Sequence, residues 1–431
     1  MSLNRRTAPE LYKRVVAVTR DSDGGLHLGG AGEAVDWLVE MKAFNQAQLL
    51  DRLAKRGPLP AGLARALGDA IAAFHDKAEV AAGFGGGDAI EEIIAGNATA
   101  FASCPSGLFD PSAVDRVIEG CGQRLARLHP LLNRRRDNGK VRHCHGDLHL
   151  GNVCLIEGHP VLFDCLEFDE KLSGIDVLYD VAFILMDLLE HGRAGEANVV
   201  FNRYLDRRNE IDGLPALPLF LAIRATIRAH VTMTGDRSAR EEANAYIAAA
   251  LGFLGPPGPR LLVIGGLSGS GKSTLAYRLA PEIGPAPGAR VVRSDVIRKR
   301  LFGVSPETPL AADAYSPEAT KRVYRGMLDE AGRCLRAGHS AVLDAVFLRP
   351  DERNAATDLA RGAGAPFTGI WLEAPAATLE ERIAGRRNDA SDADVQVLRK
   401  QLAIDPGPVD WARVNADKSD AAIEAIRKKL R

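Results

Sequence analysis

The chain has 431 residues, 46% of them hydrophobic, enough length and apolar content for two or three domains with their own cores. Lys plus Arg number 55 against 56 for Asp plus Glu, so no global field exists to recruit nucleic acid or an anionic membrane. The six cysteines (Cys104, Cys121, Cys144, Cys154, Cys165 and Cys334) form no C-x-x-C pair, no signal-peptide core opens the chain, and Arg224 and Arg228 interrupt the best apolar run. The expectation is a cytoplasmic chain with reduced thiols and no membrane span.

In chain order, residues 14–19 and 35–41 read as extended segments joined by a Gly-rich hairpin, followed by helical patterns at 45–55, 61–81 and 111–128. A loop follows, then a hairpin of 153–156 and 161–163 around Glu157-Gly158, then helices to about residue 250. A few strands followed by many helices is an α+β signature. Pro and Gly crowd a linker at 251–260, which divides a first domain, 1–250, from a second, 261–431. The second alternates strands at 261–265, 290–294, 340–343 and 367–372 with helices at 273–280, 317–337 and 351–361, then continues as helices to residue 431. That alternation predicts an α/β fold: a parallel sheet with helices on both faces and ligands at the carboxyl ends of its strands.

The strongest chemical signal is Gly266-Leu267-Ser268-Gly269-Ser270-Gly271-Lys272-Ser273, a full G-x-x-x-x-G-K-[ST] phosphate loop between an apolar strand and a helix that includes Thr274. In such a loop backbone N–H groups cradle phosphates, Lys272 reaches the β- and γ-phosphates of ATP, and Ser273 holds Mg²⁺. Asp295, just after the 290–294 strand, suits either a base for an acceptor hydroxyl or an N-cap for a helix over 296–301. Asp344 closes an apolar strand in the manner of a Walker B carboxylate that steadies Mg²⁺. Arg382, Arg386 and Arg387 cluster ahead of Asn388-Asp-Ala390, and Ser391-Asp-Ala-Asp394 reads as a capping box for a helix to Leu402. Arg298-Lys-Arg300 reads as a solvated helix face.

In the first domain, His145-Gly-Asp-Leu-His-Leu-Gly-Asn152 has the H-x-D-x-x-x-x-N form of a kinase catalytic loop, and the following hairpin delivers Asp164. In that geometry Asp147 accepts the hydroxyl proton, and Asn152 and Asp164 hold Mg²⁺. His143, His149 and His159 read as loop histidines rather than a metal cluster.

The phosphate loop, Arg293-Ser-Asp-Val-Ile-Arg298, Val342-Leu-Asp-Ala345 and the Arg-rich segment resemble a branch of small P-loop kinases over about residues 260–405. That branch includes gluconate kinase, zeta toxin, chloramphenicol phosphotransferase and polynucleotide kinase. The resemblance implies a lid in which Arg386 and Arg387 supply charge to the transferred phosphate, and leaves the acceptor open. His145-Gly-Asp147, with Asp176 and Asp180 opening the next helix, resembles the aminoglycoside phosphotransferase-like kinases. Bifunctional relatives fusing these two domains carry an Asn-Arg-Arg-like segment well inside the chain, which is similar to Asn4-Arg-Arg6 here. The comparison implies that 14–19 and 35–41 are the last two strands of a kinase small lobe, with Lys42 near the hinge. Either upstream sequence is absent or the domain is a degenerate kinase. The resulting expectation is an ATP- and Mg²⁺-dependent kinase for a small hydroxyl-bearing molecule, acting through its C-terminal domain. The alternatives are a nucleotide-gated ATPase that contacts a protein partner, and a polynucleotide 5′-kinase. The second is disfavoured by balanced charge and 6% aromatic content.

Overall fold

A computed structural model describes residues 1–105, 107–232, 237–385, 390–416 and 423, 424, 426 and 427. It divides into two compact units, Met1–Arg207 with Leu219–Leu254, and Arg208–Pro218 with Gly255–Arg431.

The first unit opens with a three-stranded antiparallel sheet of β1 (Tyr12–Arg20), β2 (Leu26–Leu28) and β3 (Glu33–Met41), in the order β2-β1-β3. The short β2 lies inside the predicted Gly-rich hairpin. Val15 pairs with Val39 and Ala17 with Trp37, and this face is open to solvent, with Trp37 63% exposed. Two short antiparallel ladders follow, β4 (Val141–His143) with β7 (Gly174–Asp176), and β5 (Val153–Ile156) with β6 (His159–Leu162). Glu157 and Gly158 both adopt positive φ in the β5–β6 turn, as a two-residue hairpin requires.

Two long helices differ from the sequence reading. Gly86–Ala102 is a helix that went unread because glycines crowd its start, yet Ile90, Ile94 and Phe101 bury one face of it. Pro111–Asp137 continues past 128 through Pro130, held beyond the proline by buried Leu132 and by Arg135, whose guanidinium grips Asp176 at 2.7 and 2.9 Å.

The second unit is built on a five-stranded, wholly parallel sheet of β8 (Leu261–Gly266), β9 (Arg290–Arg293), β10 (Ala341–Asp344), β11 (Phe367–Glu373) and β12 (Ala412–Asn415). Its order is β12-β11-β8-β10-β9. All six residues of β8 are buried, which is why it reads as one apolar run. The reading of only helices after 372 is corrected by β12, a four-residue strand beside β11 whose Ala-Arg-Val-Asn sequence carries little hydrophobic signal. Trp371 and Trp411 pack against Gly265, where a Cβ would come within 2.9 and 3.0 Å of their rings. Among the described residues one stretch, Ile211–Val231, has the length and hydropathy to cross a membrane, and 72% of it is buried in the protein.

Candidate active sites

The phosphate loop leaves β8 at Gly266, whose φ is +134° and where a Cβ would lie 2.5 Å from the Leu372 carbonyl oxygen. It ends at Gly271, N-cap of the helix Lys272–Leu279, whose φ of +87° lies in the left-handed region that favours glycine. The Lys272 ammonium donates to the Leu267 carbonyl at 2.9 Å across the loop. Ser273 Oγ donates to Asp344 Oδ2 at 2.6 Å, so the loop hydroxyl and the carboxylate ending β10 meet as a hard-oxygen pair that suits Mg²⁺. Ser270 Oγ is buried and has no hydrogen-bond partner, a donor left over for a phosphate oxygen. The loop, Asp344, Arg293, Asp295, Arg298 and Arg382 line one cavity of about 850 Å³.

Asp295 is not a cap. The helix begins at Ser294, its N-cap is Arg293 without a side-chain capping bond, and Asp295 sits in the first turn. Burial pushes the Asp295 carboxyl above the ordinary carboxylate value; Arg293 opposes this, Asp344 adds to it, and a hydrogen bond from Ser391 opposes it again. A carboxyl so raised and facing a cavity is a fitting proton acceptor.

The reading of Arg298-Lys-Arg300 as solvated is overturned. Arg298 is 6% and Lys299 1% exposed, and Arg300 pairs with Glu330 at 2.6 Å. Arg298 donates to the Ala314 carbonyl and stacks 4.7 Å over Tyr315, while the Lys299 ammonium reaches the Thr308 carbonyl and Asp392. Asp392 Oδ2 also accepts from the Tyr315 hydroxyl and the Leu310 amide. The expected lid arginines Arg386 and Arg387 lie outside the described residues. Ser391 does not cap the next helix; Val395–Leu402 is capped by Asp394, which accepts from the Val397 amide. Arg293, Lys299 and Asp392 fall inside segments that the sequence reading named, yet neither they nor Tyr315 were given a role at the site.

In the first unit the catalytic-type loop is held by carboxylates beneath it. Asp180 accepts the His145 and Gly146 amides at 3.1 and 3.0 Å, and Asp187 accepts the Leu150 amide at 2.8 Å. His75 joins Asp180 to the Tyr204 hydroxyl through its two ring nitrogens. His75, Cys144 and Asp180 therefore form a buried structural knot, since neither nitrogen is left for an ion. On the loop, Asn152 Nδ2 donates to Asp147 Oδ2 at 2.9 Å, and the His149 ring nitrogen Nε2 lies 3.4 Å from the same oxygen. Because His149 Nδ1 accepts the Gly151 amide, neutral His149 carries its proton on Nε2, toward Asp147. Burial works to raise the Asp147 carboxyl, but His149, Arg224 and His145 outweigh it and hold the group below its ordinary value. His149, read as a loop histidine, thus belongs to the site. Asp164 has φ +63° and its amide donates to the Tyr12 hydroxyl, while the preceding Phe163 amide donates to the Asn152 carbonyl, which brings the Asp164 turn beside Asn152.

Two family models match the chain, one in each half. Residues 44–217 match the phosphotransferase enzyme family, and residues 261–404 match a AAA domain family. The chain is an ATP-dependent kinase that carries a phosphotransferase-family match ahead of a AAA-domain match. The kinase is similar to the uncharacterized proteins Rv2004c of Mycobacterium tuberculosis and Mb2027c of Mycobacterium bovis, each 27% identical over 420 residues, covering 95% of this chain and 81% of the relative. Among solved structures it is similar to a gluconokinase from Sinorhizobium meliloti 1021, at 23% identity over 40% of this chain and 95% of that one, with a TM-score of 0.27. It is also similar to the Mycobacterium tuberculosis APS kinase CysC in complex with AMPPNP and APS, at 19% identity over 40% of this chain and 98% of that one, with a TM-score of 0.29.

Proposed function

We propose that the C-terminal domain, from about residue 261, transfers the γ-phosphoryl group of ATP to a hydroxyl of a small molecule. The observation that carries this reading is that one cavity collects the phosphate loop, the Ser273–Asp344 pair and the raised carboxyl of Asp295. The loop amides and Lys272 would bind the phosphates, and Asp295 would hold the acceptor hydroxyl and receive its proton as the oxygen bonds to phosphorus and ADP departs. Mg²⁺, held through Ser273 and Asp344, would supply charge neutralisation at the phosphates. Arg386 and Arg387 stay proposed as lid cations. In the N-terminal domain, Asp147, Asn152 and Asp164 are proposed as a second such constellation, supported by the ordering of Asp147 between Asn152 and His149. Six free cysteines, five of them buried, suit a reducing cytoplasm.

The test is incubation of the full chain with Mg–ATP and a small-molecule extract, followed by mass spectrometry. A new phosphorylated compound that disappears with Lys272→Ala supports the reading. Release of inorganic phosphate alone, stimulated by a protein fraction, would favour a nucleotide-gated switch, and labelling of oligonucleotide 5′ ends would favour a polynucleotide kinase.

A further inference from the structure

Beside the metal-side and acceptor-side carboxylates stands a cation to which the sequence reading gave no role. Arg293 ends β9 directly opposite Asp344 in the parallel register and lies two residues before Asp295. Its Nε is 3.3 Å from Asp344 Oδ2, the oxygen that also takes the Ser273 hydroxyl. The side chain is 12% exposed and lines the same cavity as the phosphate loop. We infer that Arg293 is an internal arginine of the phosphoryl-transfer site, neutralising Asp344 before nucleotide enters and turning to the transferring phosphoryl group once Ser273 and Asp344 engage the metal. The inference rests on the reading of this domain as the kinase site.

Three physical points carry it. Asp295 and Asp344 face one cavity and repel, so a guanidinium, the more weakly hydrated of the two basic side-chain cations, suits the space between them. Arg293 ends β9 opposite Asp344, Asp295 follows two residues later, and all three line the cavity with Ser273, so the guanidinium borders the space in which a phosphoryl group would pass to the acceptor. Among the other cations that line the cavity, Lys272 is turned to the Leu267 carbonyl, Arg298 is tied to the Ala314 carbonyl under Tyr315, and Arg349, Arg382 and Lys400 are exposed. With its backbone anchored at a strand end, only the guanidinium has to turn, and its planar fork matches two phosphate oxygens. Arg293 forms no covalent bond in the step; the acceptor oxygen bonds to the γ-phosphorus, the bond to the bridging oxygen breaks, and the acceptor proton passes to Asp295.

The experiment uses the full chain as wild type, Arg293→Gln, Arg293→Lys and Lys272→Ala, titrated calorimetrically with Mg²⁺ alone, with Mg–AMPPNP, and with Mg–ADP plus aluminium fluoride as mimic of the group in transfer. Arg293→Gln is expected to bind Mg²⁺ more tightly than wild type, to keep Mg–AMPPNP affinity within about threefold, and to lose about 100-fold for the fluoride complex. Arg293→Lys, which keeps the charge without the fork, is expected to lose about tenfold for that complex and decides the matter should the glutamine variant not fold. Unchanged affinity for the fluoride complex in whichever variant folds overturns the proposal, whatever the Mg²⁺ titration gives. Failure of the wild type to bind Mg–AMPPNP, or equal binding by Lys272→Ala, would instead refute the phosphate-loop reading itself.

Discussion

The two units handle phosphate chemistry with opposite materials. In the second, the cradle is backbone: glycines at positive φ let N–H groups converge at the end of a buried strand, and side chains enter only as Lys272 and Ser273. In the first, the loop from His145 to Asn152 is held by side chains from below, with Asp180 and Asp187 accepting three of its amides and His75 buttressing Asp180. A backbone cradle tolerates changes in its surroundings but not in its glycines, whereas a loop hung from carboxylates depends on residues far away in sequence.

Removing one of those carboxylates should separate the units most sharply. Asp180→Ala strands the His145 and Gly146 amides and breaks a fully buried pair with His75, at a cost of about 3–5 kcal/mol. Hydrogen exchange should accelerate across 141–152 and stay as it was across 261–273; equal protection of 141–152 in wild type and variant would show that the loop holds itself. Next in size is Lys272→Ala, expected to lower turnover about 1000-fold and to weaken nucleotide binding in the second unit, with the first unit's stability unaltered. Retained turnover would place the chemistry in the first unit.

Acid should discriminate them a third way. His339 lies under the sheet of the second unit, donates to the Gly288 carbonyl at 2.9 Å, and is pushed by burial down to a pKa of about 4. The unfolded chain takes up that proton below about pH 6.5, so this contribution is complete above 6.5 and is lost as pH falls toward 4, to about 3 kcal/mol. Urea denaturation as a function of pH checks it, and His339→Gln should flatten the slope. The smallest expected effect is Asp295→Asn, about 100-fold in kcat with ATP affinity kept. Because burial raises that carboxyl, ionisation destabilises the folded state as pH rises through the shifted range, and the asparagine should leave the thermal midpoint level or higher. A lower midpoint with normal kcat would make Asp295 structural.

How legible each site was follows from the same contrast. The phosphate loop was readable because glycine spacing is itself the geometry, and the first unit's set because Asp147, Asn152 and Asp164 come in order along one loop and hairpin. What stayed hidden depends on contacts distant in sequence. Lys299 reads as a surface lysine until Thr308 and Asp392 fold over it; His149 is the exception, set by its near neighbours Gly151 and Asp147 through a loop geometry that residue spacing does not reveal. Arg293 looks like any strand-end arginine until the register sets it opposite Asp344. The helix at Gly86–Ala102 and the strand β12 were missed for the plainer reason that a Gly-rich start and a mixed four-residue strand carry little periodicity.

The tryptophans pressed against Gly265 give the molecule a built-in optical reporter. Of the three in the chain, Trp371 is 6% exposed and Trp411 touches the strand that feeds the phosphate loop, with Phe347 at 5.4 Å, whereas Trp37 stands in water on the open sheet. Emission from the shielded pair should lie to the blue of Trp37 and resist an aqueous quencher such as iodide. Nucleotide entry one residue beyond Gly265 can then be followed in the unlabelled protein, with Trp37→Phe removing the background signal.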